Sequence, residues 1–248
     1  MNGLKVEDIK KTYSGFAALG GVSLEAAEGS CLAVVGPNGA GKSTLFAIIA
    51  GQTKPDSGSV KINDDEVTGS RPEELSARGL SRTFQVARLF PTFTVRESIV
   101  IACQMAKRRG TFARDPMRNK ELKERSLDAL KLVRMTALAD SKVSVLTQGE
   151  RKRLEFGMAI AQEPSVLVLD EPTAGMGRGD VELVMDVLQD AKEASKHLTI
   201  LLSSHDMDVV FGLADRLVVM AQGKVLMEGN PKEVANHQQV ADVYLGRR

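Results

Sequence analysis

One stretch constrains this chain more than any other. It fits the pattern G-x-x-x-x-G-K-[ST] and consists of Gly36, Pro37, Asn38, Gly39, Ala40, Gly41, Lys42, Ser43 and Thr44. The apolar residues 31–35 before it predict a buried strand, and residues 45–50 after it predict a helix that stops at Gly51. In that context glycines let successive backbone N–H groups point inward at an anion, and the helix N-terminus adds partial positive charge. We therefore predict that this stretch, the phosphate loop, binds nucleotide phosphates, with Lys42 on the terminal phosphates and Ser43 on Mg²⁺.

The composition narrows the class of protein. With 248 residues, 43% hydrophobic and 26% charged, the chain is long enough for a well-buried core. Its net charge of +1 gives no argument for a nucleic-acid partner. No apolar run approaches the about 18 residues of a membrane span, and the first residues lack a signal-peptide core, so we expect a cytoplasmic protein that is at most peripheral to a membrane. Cys31 and Cys103 match no metal or redox spacing, which predicts two buried thiols.

Strand and helix patterns alternate along most of the chain. Residues 4–9 predict an edge strand, residues 60–67 a hairpin, and residues 91–139 a helical region. The continuous apolar runs at 165–169 and 197–202 are typical of strands buried on both faces of a parallel sheet. We therefore expect an α/β fold with a mainly parallel core sheet, a small antiparallel β part and an inserted α-helical part.

Three ionisable side chains follow the two buried strands. Asp170 and Glu171 end the first strand, and His205 comes just after the second. Because the carboxyl ends of parallel strands meet at one edge of a sheet, we expect these side chains beside the phosphate loop. Asp170 would then assist Mg²⁺, and Glu171 would orient or deprotonate a water molecule. The same placement favours a functional role for His205 over a structural one.

Two other features have both a structural and a functional interpretation. Tyr13 is either an aromatic that stacks on a nucleotide base or an ordinary half-buried tyrosine. Thr147 and Glu150 match a capping box, with the threonine as N-cap and the glutamate three residues later. Starting a helix could by itself explain both residues.

In order along the chain, these residues resemble the ATP-binding cassette (ABC) ATPases. The matching elements, which span nearly the whole chain, are the phosphate loop, Gln85, Leu146–Glu150, Val166–Pro172 and His205. The resemblance implies a P-loop NTPase with a RecA-like core and a single ABC ATPase domain over residues 1–248. Residues 1–85 and 155–248 would form the nucleotide-binding core with its β subdomain, and residues from about 86 to 154 the helical and signature subdomain.

The resemblance also implies which residues bind ATP and Mg²⁺. Tyr13 would stack on adenine, and the phosphate loop corresponds to the Walker A loop, where Lys42 stabilises the phosphates. Gln85 resembles the Q-loop glutamine, which contacts Mg²⁺ and the attacking water. Residues 146–150, the signature segment, resemble the motif LSGGQ, whose members Thr147 and Gly149 would contact ATP held by a second cassette.

The remaining implied roles concern hydrolysis. Asp170 is similar to the Walker B aspartate, Glu171 to the catalytic glutamate and His205 to the switch histidine at the γ-phosphate. Two positions depart from the family pattern, because Gln148 replaces the first signature glycine and Gly177 replaces an aspartate. These departures imply weak or asymmetric hydrolysis, or pairing with a different cassette.

Within the family, three stretches are similar to the ATPases of branched-chain (hydrophobic) amino acid importers: residues 82–90, residues 171–176 and residues 244–246. That resemblance implies ATP hydrolysis coupled to import, integral-membrane permease subunits, a second ATPase subunit that is identical or different, and a peripheral position on the cytoplasmic face of the inner or plasma membrane. Residues 86–90 are the expected permease contact.

Other functions stay open at this point. The chain could serve a transporter for another substrate, such as urea or an amide, or an exporter. It could act away from membranes, as DNA-repair or ribosome-associated ABC proteins do, although it lacks their long coiled coil or second cassette. It could also be an ATP-gated clamp that hydrolyses poorly and acts with a second cassette.

Overall fold

The computed structural model describes residues 2–83, 89–106 and 115–240. The strands are β1 (Asn2–Tyr13), β2 (Phe16–Ala27), β3 (Cys31–Val35), β4 (Ser57–Ile62), β5 (Asp65–Glu66), β6 (Leu80–Thr83), β7 (Val166–Asp170), β8 (Thr199–Ser203), β9 (Arg216–Ala221) and β10 (Lys224–Gly229). The helices are α1 (Lys42–Ile49), α2 (Pro72–Ala77), α3 (Val95–Ala106), α4 (Lys120–Leu132), α5 (Gln148–Ile160), α6 (Arg178–Ala194), α7 (Met207–Leu213) and α8 (Pro231–Ala235).

A six-stranded sheet forms the centre of the fold. Its order is β10-β9-β3-β8-β7-β6, and all neighbours are parallel except the β9–β10 hairpin. Alternate residues of β7 face different clusters, since Val168 packs with α1 whereas Leu169 packs with α5 and α6. Burial on both faces explains the continuous apolar runs and confirms the expected α/β fold with its mainly parallel sheet.

A second sheet is antiparallel and has the order β2-β1-β4-β5. Strand β1 pairs with β2 on one side and β4 on the other, so the expectation of an edge strand at residues 4–9 was wrong. The second partner, β4, follows the phosphate loop and α1 in the sequence. The alternation of apolar and polar residues within β1 therefore does not show that β4 pairs with it. Leu4, Val22 and Ile62 of this sheet share one hydrophobic cluster with Phe46 of α1.

The helical region has a hydrophobic cluster of its own. Ile99 of α3, Leu130 of α4 and Leu154 of α5 belong to it, whereas Phe156, two residues later on α5, packs with the central sheet. Helix α5 therefore joins the two parts of the molecule. None of the helices in the described ranges has both the length and the apolarity that crossing a bilayer requires. Both cysteines are buried and free, as expected.

Candidate functional site

The phosphate loop connects β3 to α1 and requires glycine at two positions. Gly41 is the N-cap of α1 with φ of 101°, in the left-handed region. A Cβ atom there would lie 2.8 Å from the Ala18 carbonyl oxygen, and one on Gly36 would lie 2.2 Å from the Met220 carbonyl oxygen. Backbone packing thus permits no side chain at either end of the loop.

Lys42 lies at the centre of the loop and is only 6% exposed. Its Nζ atom donates to the carbonyl oxygens of Gly36 at 2.6 Å and Pro37 at 3.2 Å. Burial lowers the pKa of the Lys42 ammonium, and the charges of Glu171 and Asp170 oppose that shift. The loop thus encloses a cation that two nearby carboxylates help to stabilise.

A pocket of about 350 Å³ opens over the loop. It is lined by Tyr13, Phe16, Ala18, Asn38, Gly39, Ala40, Gly41, Lys42, Ser43, Thr44 and Glu171. Its walls therefore combine an ammonium group, a hydroxyl-bearing loop, a carboxylate and two aromatic rings. That combination suits a ligand with an anionic end and a planar apolar end.

The two aromatic residues stand at the tip of the β1–β2 hairpin. Tyr13 pairs with Phe16 across a two-residue turn, Ser14 and Gly15, in which both residues have positive φ. Tyr13 is 45% exposed and Phe16 is 70% exposed. Exposed aromatic rings that line a pocket are better explained by ligand binding than by folding.

The Asp170 carboxylate is held through both of its oxygens. Ser203 Oγ donates to Oδ1 at 2.7 Å, and Arg82 Nη2 donates to Oδ2 at 3.2 Å. The Asp170 and Arg82 side chains are 15% and 13% exposed. Burial lowers the pKa of the Arg82 guanidinium, and the charge of Asp170 opposes this shift. Contacts within the protein therefore position Asp170 at the sheet edge.

Glu171 is the next residue and turns toward the pocket. Its φ is 49°, which is uncommon for a residue other than glycine and clusters at functional sites. Its N–H donates to the Ser203 carbonyl oxygen at 3.1 Å. Its Oε1 lies 2.8 Å from His205 Nε2. The structure thus brings Glu171, His205 and the phosphate loop together, as predicted from the carboxyl ends of the two buried strands.

The residues present are compatible with Mg²⁺. The Asp170 carboxylate and the Ser43 hydroxyl offer the oxygen donors that this hard cation prefers. Among the described residues no group of three or more His, Cys, Asp or Glu side chains could hold a metal ion. A cation bound here would therefore depend on few protein ligands together with the ligand's phosphates, as is usual for Mg²⁺.

The signature segment starts α5. The predicted capping box is confirmed, because Glu150 N–H donates to Thr147 Oγ1 at 3.3 Å and Thr147 N–H donates to Glu150 Oε2 at 2.8 Å. Gly149 packs against α6, where a Cβ atom would lie 2.3 Å from Asp180 Cγ. The described lining of the pocket includes neither Thr147 nor Gly149.

Some predicted residues lie outside the described ranges, and some site residues were missed. Gln85, residues 86–88 and the tail residues 244–246 are not among the described residues. Sequence reasoning missed Phe16, Arg82 and Ser203. Arg82 had a detectable signal, since a charged residue inside a short buried strand requires a partner. The approach of Ser203 to Asp170 depends on the pairing of β7 with β8.

Comparison with known proteins gives consistent matches. The family described as ABC transporter matches residues 19–174. The high-affinity branched-chain amino acid transport ATP-binding protein LivG of Salmonella typhimurium is 32% identical, over 98% of this chain and 97% of LivG. The ADP conformation of MJ1267, an ATP-binding cassette of an ABC transporter, superposes with a TM-score of 0.84 at 31% identity, covering 100% of both chains. A dimeric post-hydrolysis structure of the cassette MJ0796, bound to ADP and Pi, has a TM-score of 0.77 at 26% identity, covering 92% of this chain and 98% of that one.

Proposed function

Because this chain belongs to the ABC transporter family, whose model matches more than half of it, we propose that it is the ATP-hydrolysing subunit of a membrane transporter. One observation carries the proposal. Lys42 of the phosphate loop and Glu171 line the same pocket, and His205 contacts Glu171. A phosphate-binding cation and a water-activating carboxylate at one pocket are the requirements for hydrolysing a phosphoanhydride.

The mechanism follows from these positions. ATP enters with its phosphates on the loop, so that Lys42 exchanges the Gly36 and Pro37 carbonyl oxygens for phosphate oxygens and the loop N–H groups donate to them. Glu171 positions the attacking water and accepts its proton, and His205 holds Glu171 and contacts the γ-phosphate. Asp170 and Ser43 would hold Mg²⁺, which would supply positive charge to offset the phosphate charge.

Three further assignments belong to this proposal. The aromatic ring of Tyr13 stacks on the adenine. Gln85 would help to hold Mg²⁺ and the attacking water. Residues from about 86 to 154 form a helical and signature subdomain inserted in the nucleotide-binding core, and the separate hydrophobic cluster around Leu130 supports that division.

The working unit in this proposal contains two cassettes. The dimeric MJ0796 structure supports such a pair. Thr147 and Gly149 stand at the N-terminus of α5, where backbone N–H groups favour an anion, so they would meet ATP held by the partner cassette. Gln148 and Gly177 differ from the usual family residues at this contact, which favours a partner cassette of different sequence.

We further propose that the transporter imports branched-chain or related amino acids. Similarity to LivG over nearly the full length supports this substrate class. The chain would bind permease subunits at the cytoplasmic face of the membrane, through residues 86–90. Of this stretch only Leu89 and Phe90 are described, and the exposed Phe90 ring lies 5.1 Å from that of Phe93.

The proposal is tested in two stages. The purified chain should bind MgATP and release phosphate, alone or with its partner cassette. Cells that lack this chain should then lose uptake of radiolabelled leucine, and the chain should restore it. Phosphate release with leucine uptake unaffected would assign the ATPase to another substrate, and MgATP binding without measurable turnover would favour the clamp.

The clamp is the second candidate, and Gln148 and Gly177 favour it. A Cβ atom on Gly177 meets nothing within 4 Å, so an aspartate fits there without rearrangement. If these two residues limit turnover, the double variant Gln148→Gly/Gly177→Asp should hydrolyse ATP faster than the natural chain. An unchanged rate would remove the reason for the clamp.

A further inference from the structure

Arg82 lies where a strand of the central sheet approaches the candidate magnesium ligand. It belongs to β6, which pairs in parallel with β7, the strand that ends in Asp170. One guanidinium nitrogen, Nη2, donates to Asp170 Oδ2 at 3.2 Å. The other, Nη1, donates to Gln52 Oε1 at 2.7 Å, just beyond the end of α1. The guanidinium therefore joins the segment that follows the phosphate-loop helix to the carboxylate at the end of β7.

Burial makes this contact stronger than a surface ion pair. Both side chains are more than four-fifths buried, so solvent screens their charges far less than at an exposed pair. A carboxylate in that position requires a compensating charge or several hydrogen bonds. The nearby ammonium of Lys42 donates to loop carbonyl oxygens instead. Within the described residues, the Asp170 carboxylate thus accepts from Arg82 on one oxygen and from Ser203 on the other.

The two contacts restrict how the carboxylate can turn. Ser203 fixes Oδ1 and Arg82 fixes Oδ2, so rotation about the Cβ–Cγ bond breaks at least one hydrogen bond. A carboxylate that assists a metal needs its remaining lone pairs aimed at the metal, and groups around a ligand commonly supply that orientation. The planar fork of arginine suits this task better than the flexible ammonium of lysine.

We propose that Arg82 is a positioning residue for the MgATP reaction, which holds Asp170 in the orientation that assists Mg²⁺. This inference rests on the proposed function. Arg82 does not line the pocket over the phosphate loop within the described residues, and it acts through Asp170.

The electrostatic effect of the guanidinium opposes its positioning effect. A cation beside Asp170 repels Mg²⁺ and by itself weakens metal binding. The Asp170 carboxylate, which accepts from Arg82 Nη2, partly neutralises the guanidinium charge and so reduces this repulsion. Loss of orientation therefore dominates, and removal of Arg82 weakens metal binding. Tighter metal binding after removal of Arg82 would contradict the proposal, because it would make Arg82 a counter-ion only.

The test measures metal binding rather than turnover. Mn²⁺, a paramagnetic substitute for Mg²⁺, is titrated by electron paramagnetic resonance onto the full chain saturated with ATP. ATP affinity without metal is measured separately in EDTA. Arg82→Met should raise the Mn²⁺ dissociation constant at least about tenfold, the usual loss when a group orienting a metal ligand is removed. Metal-free ATP affinity should stay within about threefold, because the phosphate loop is unchanged.

Two variants separate positioning from structural damage. Arg82→Lys keeps the charge but loses the fork, so its Mn²⁺ affinity should fall between the natural chain and Arg82→Met. In an Asp170→Asn background, Arg82→Met should change Mn²⁺ affinity less than about twofold, since the two residues act as one unit. An equal effect in both backgrounds would contradict the assignment.

The control is Arg78→Met. Arg78 is an exposed arginine at the end of α2, and its Nη1 donates to the Glu66 carbonyl oxygen, away from Asp170. The Arg78→Met chain should bind Mn²⁺ with the same affinity as the natural chain. Failure of the natural chain to bind ATP with metal would overturn the proposed function itself. Normal binding by the natural chain and by Arg82→Met alike would overturn only the role of Arg82.

Discussion

His205 Nε2 lies 2.8 Å from Oε1 of Glu171, a residue that lines the pocket over the phosphate loop. Glu171 has left-handed backbone geometry and its N–H group donates to Ser203, so the backbone is held in place while His205 contacts the side chain. The imidazole therefore fixes one carboxylate oxygen and leaves the other available for a water molecule. The Glu171 carboxylate is thus oriented by a contact within the protein.

Replacing Glu171 with glutamine should remove the proton acceptor and keep the shape. Hydrolysis should fall about 100- to 10,000-fold, the range for loss of a general base. ATP affinity should change little, because Lys42 and the loop N–H groups stay in place. Phosphate release and fluorescent-nucleotide binding measure the two quantities.

The matched histidine comparison tests the contact itself. His205→Ala should lower the hydrolysis rate about 10- to 100-fold, since a hydrogen bond to a charged group is lost. His197→Ala is the control, because that exposed histidine contacts Glu28 and not the pocket. Equal rates for both histidine variants would show that the Glu171 contact does not assist hydrolysis.

Phe16 should contribute to nucleotide affinity together with Tyr13. Phe16→Ala should weaken ATP binding about two- to tenfold, the value of one aromatic contact. Phe16→Tyr should retain affinity, because the ring is kept. Phe211→Ala serves as the control, since that ring is exposed on α7 and does not line the pocket. Isothermal titration calorimetry gives the affinities, and equal affinity for Phe16→Ala and the natural chain would exclude Phe16 from base binding.

A side chain at Gly149 should displace the Asp180 carboxylate. Its Cβ atom would lie 2.3 Å from Asp180 Cγ, so Gly149→Ala should lower the free energy of unfolding by about 1 to 3 kcal/mol. The double variant Gly149→Ala/Asp180→Ala should recover part of that loss. Urea unfolding measures each value.

Gly179→Ala is the comparison for that substitution. A Cβ atom on Gly179 meets nothing within 4 Å, and alanine favours the helix, so stability should be unchanged or higher. If Gly149→Ala is as stable as Gly179→Ala, the packing of α5 against α6 at this point is looser than the structure indicates.

Glu7 should make stability depend on pH in the acid range. Hydrogen bonds from Lys5 and Lys61 lower the pKa of this carboxyl from 4.5 to about 2. A lowered carboxyl pKa stabilises the folded chain above the unfolded value, and the contribution disappears as pH falls from 4.5 to about 2. The melting temperature of Glu7→Gln should lie below that of the natural chain near neutral pH, and the gap should close in acid.

A second variant checks the source of that shift. Lys61→Met removes one of the two ammonium donors, so it should lower the melting temperature in the same direction, with a gap that also narrows in acid. A gap for Glu7→Gln that stays constant over the whole range would exclude the carboxyl charge as its cause.

Features that depend on neighbouring residues were predicted from the sequence more fully than features that depend on pairing between distant segments. The phosphate loop, the capping box at Thr147 and the strand before Asp170 each depend on neighbouring residues, so the sequence was sufficient to predict them. The second partner of β1 and the approach of Arg82 to Asp170 join distant segments. A charge in a buried strand shows that a partner is needed, but only the sheet order identifies it.

The hydrophobic cluster shared by the two sheets has a consequence for unfolding. Ile9 and Leu24 of the β1–β2 hairpin pack in the same cluster as Leu45 and Phe46 of α1. The hairpin therefore cannot melt without exposing the helix that follows the phosphate loop. Amide hydrogens of β1 and α1 should exchange with deuterium in one cooperative step, and those of α4, in the other cluster, in a separate step. A destabilising mutation in this shared cluster, whether in β1 or in α1, would then impair adenine and phosphate recognition together.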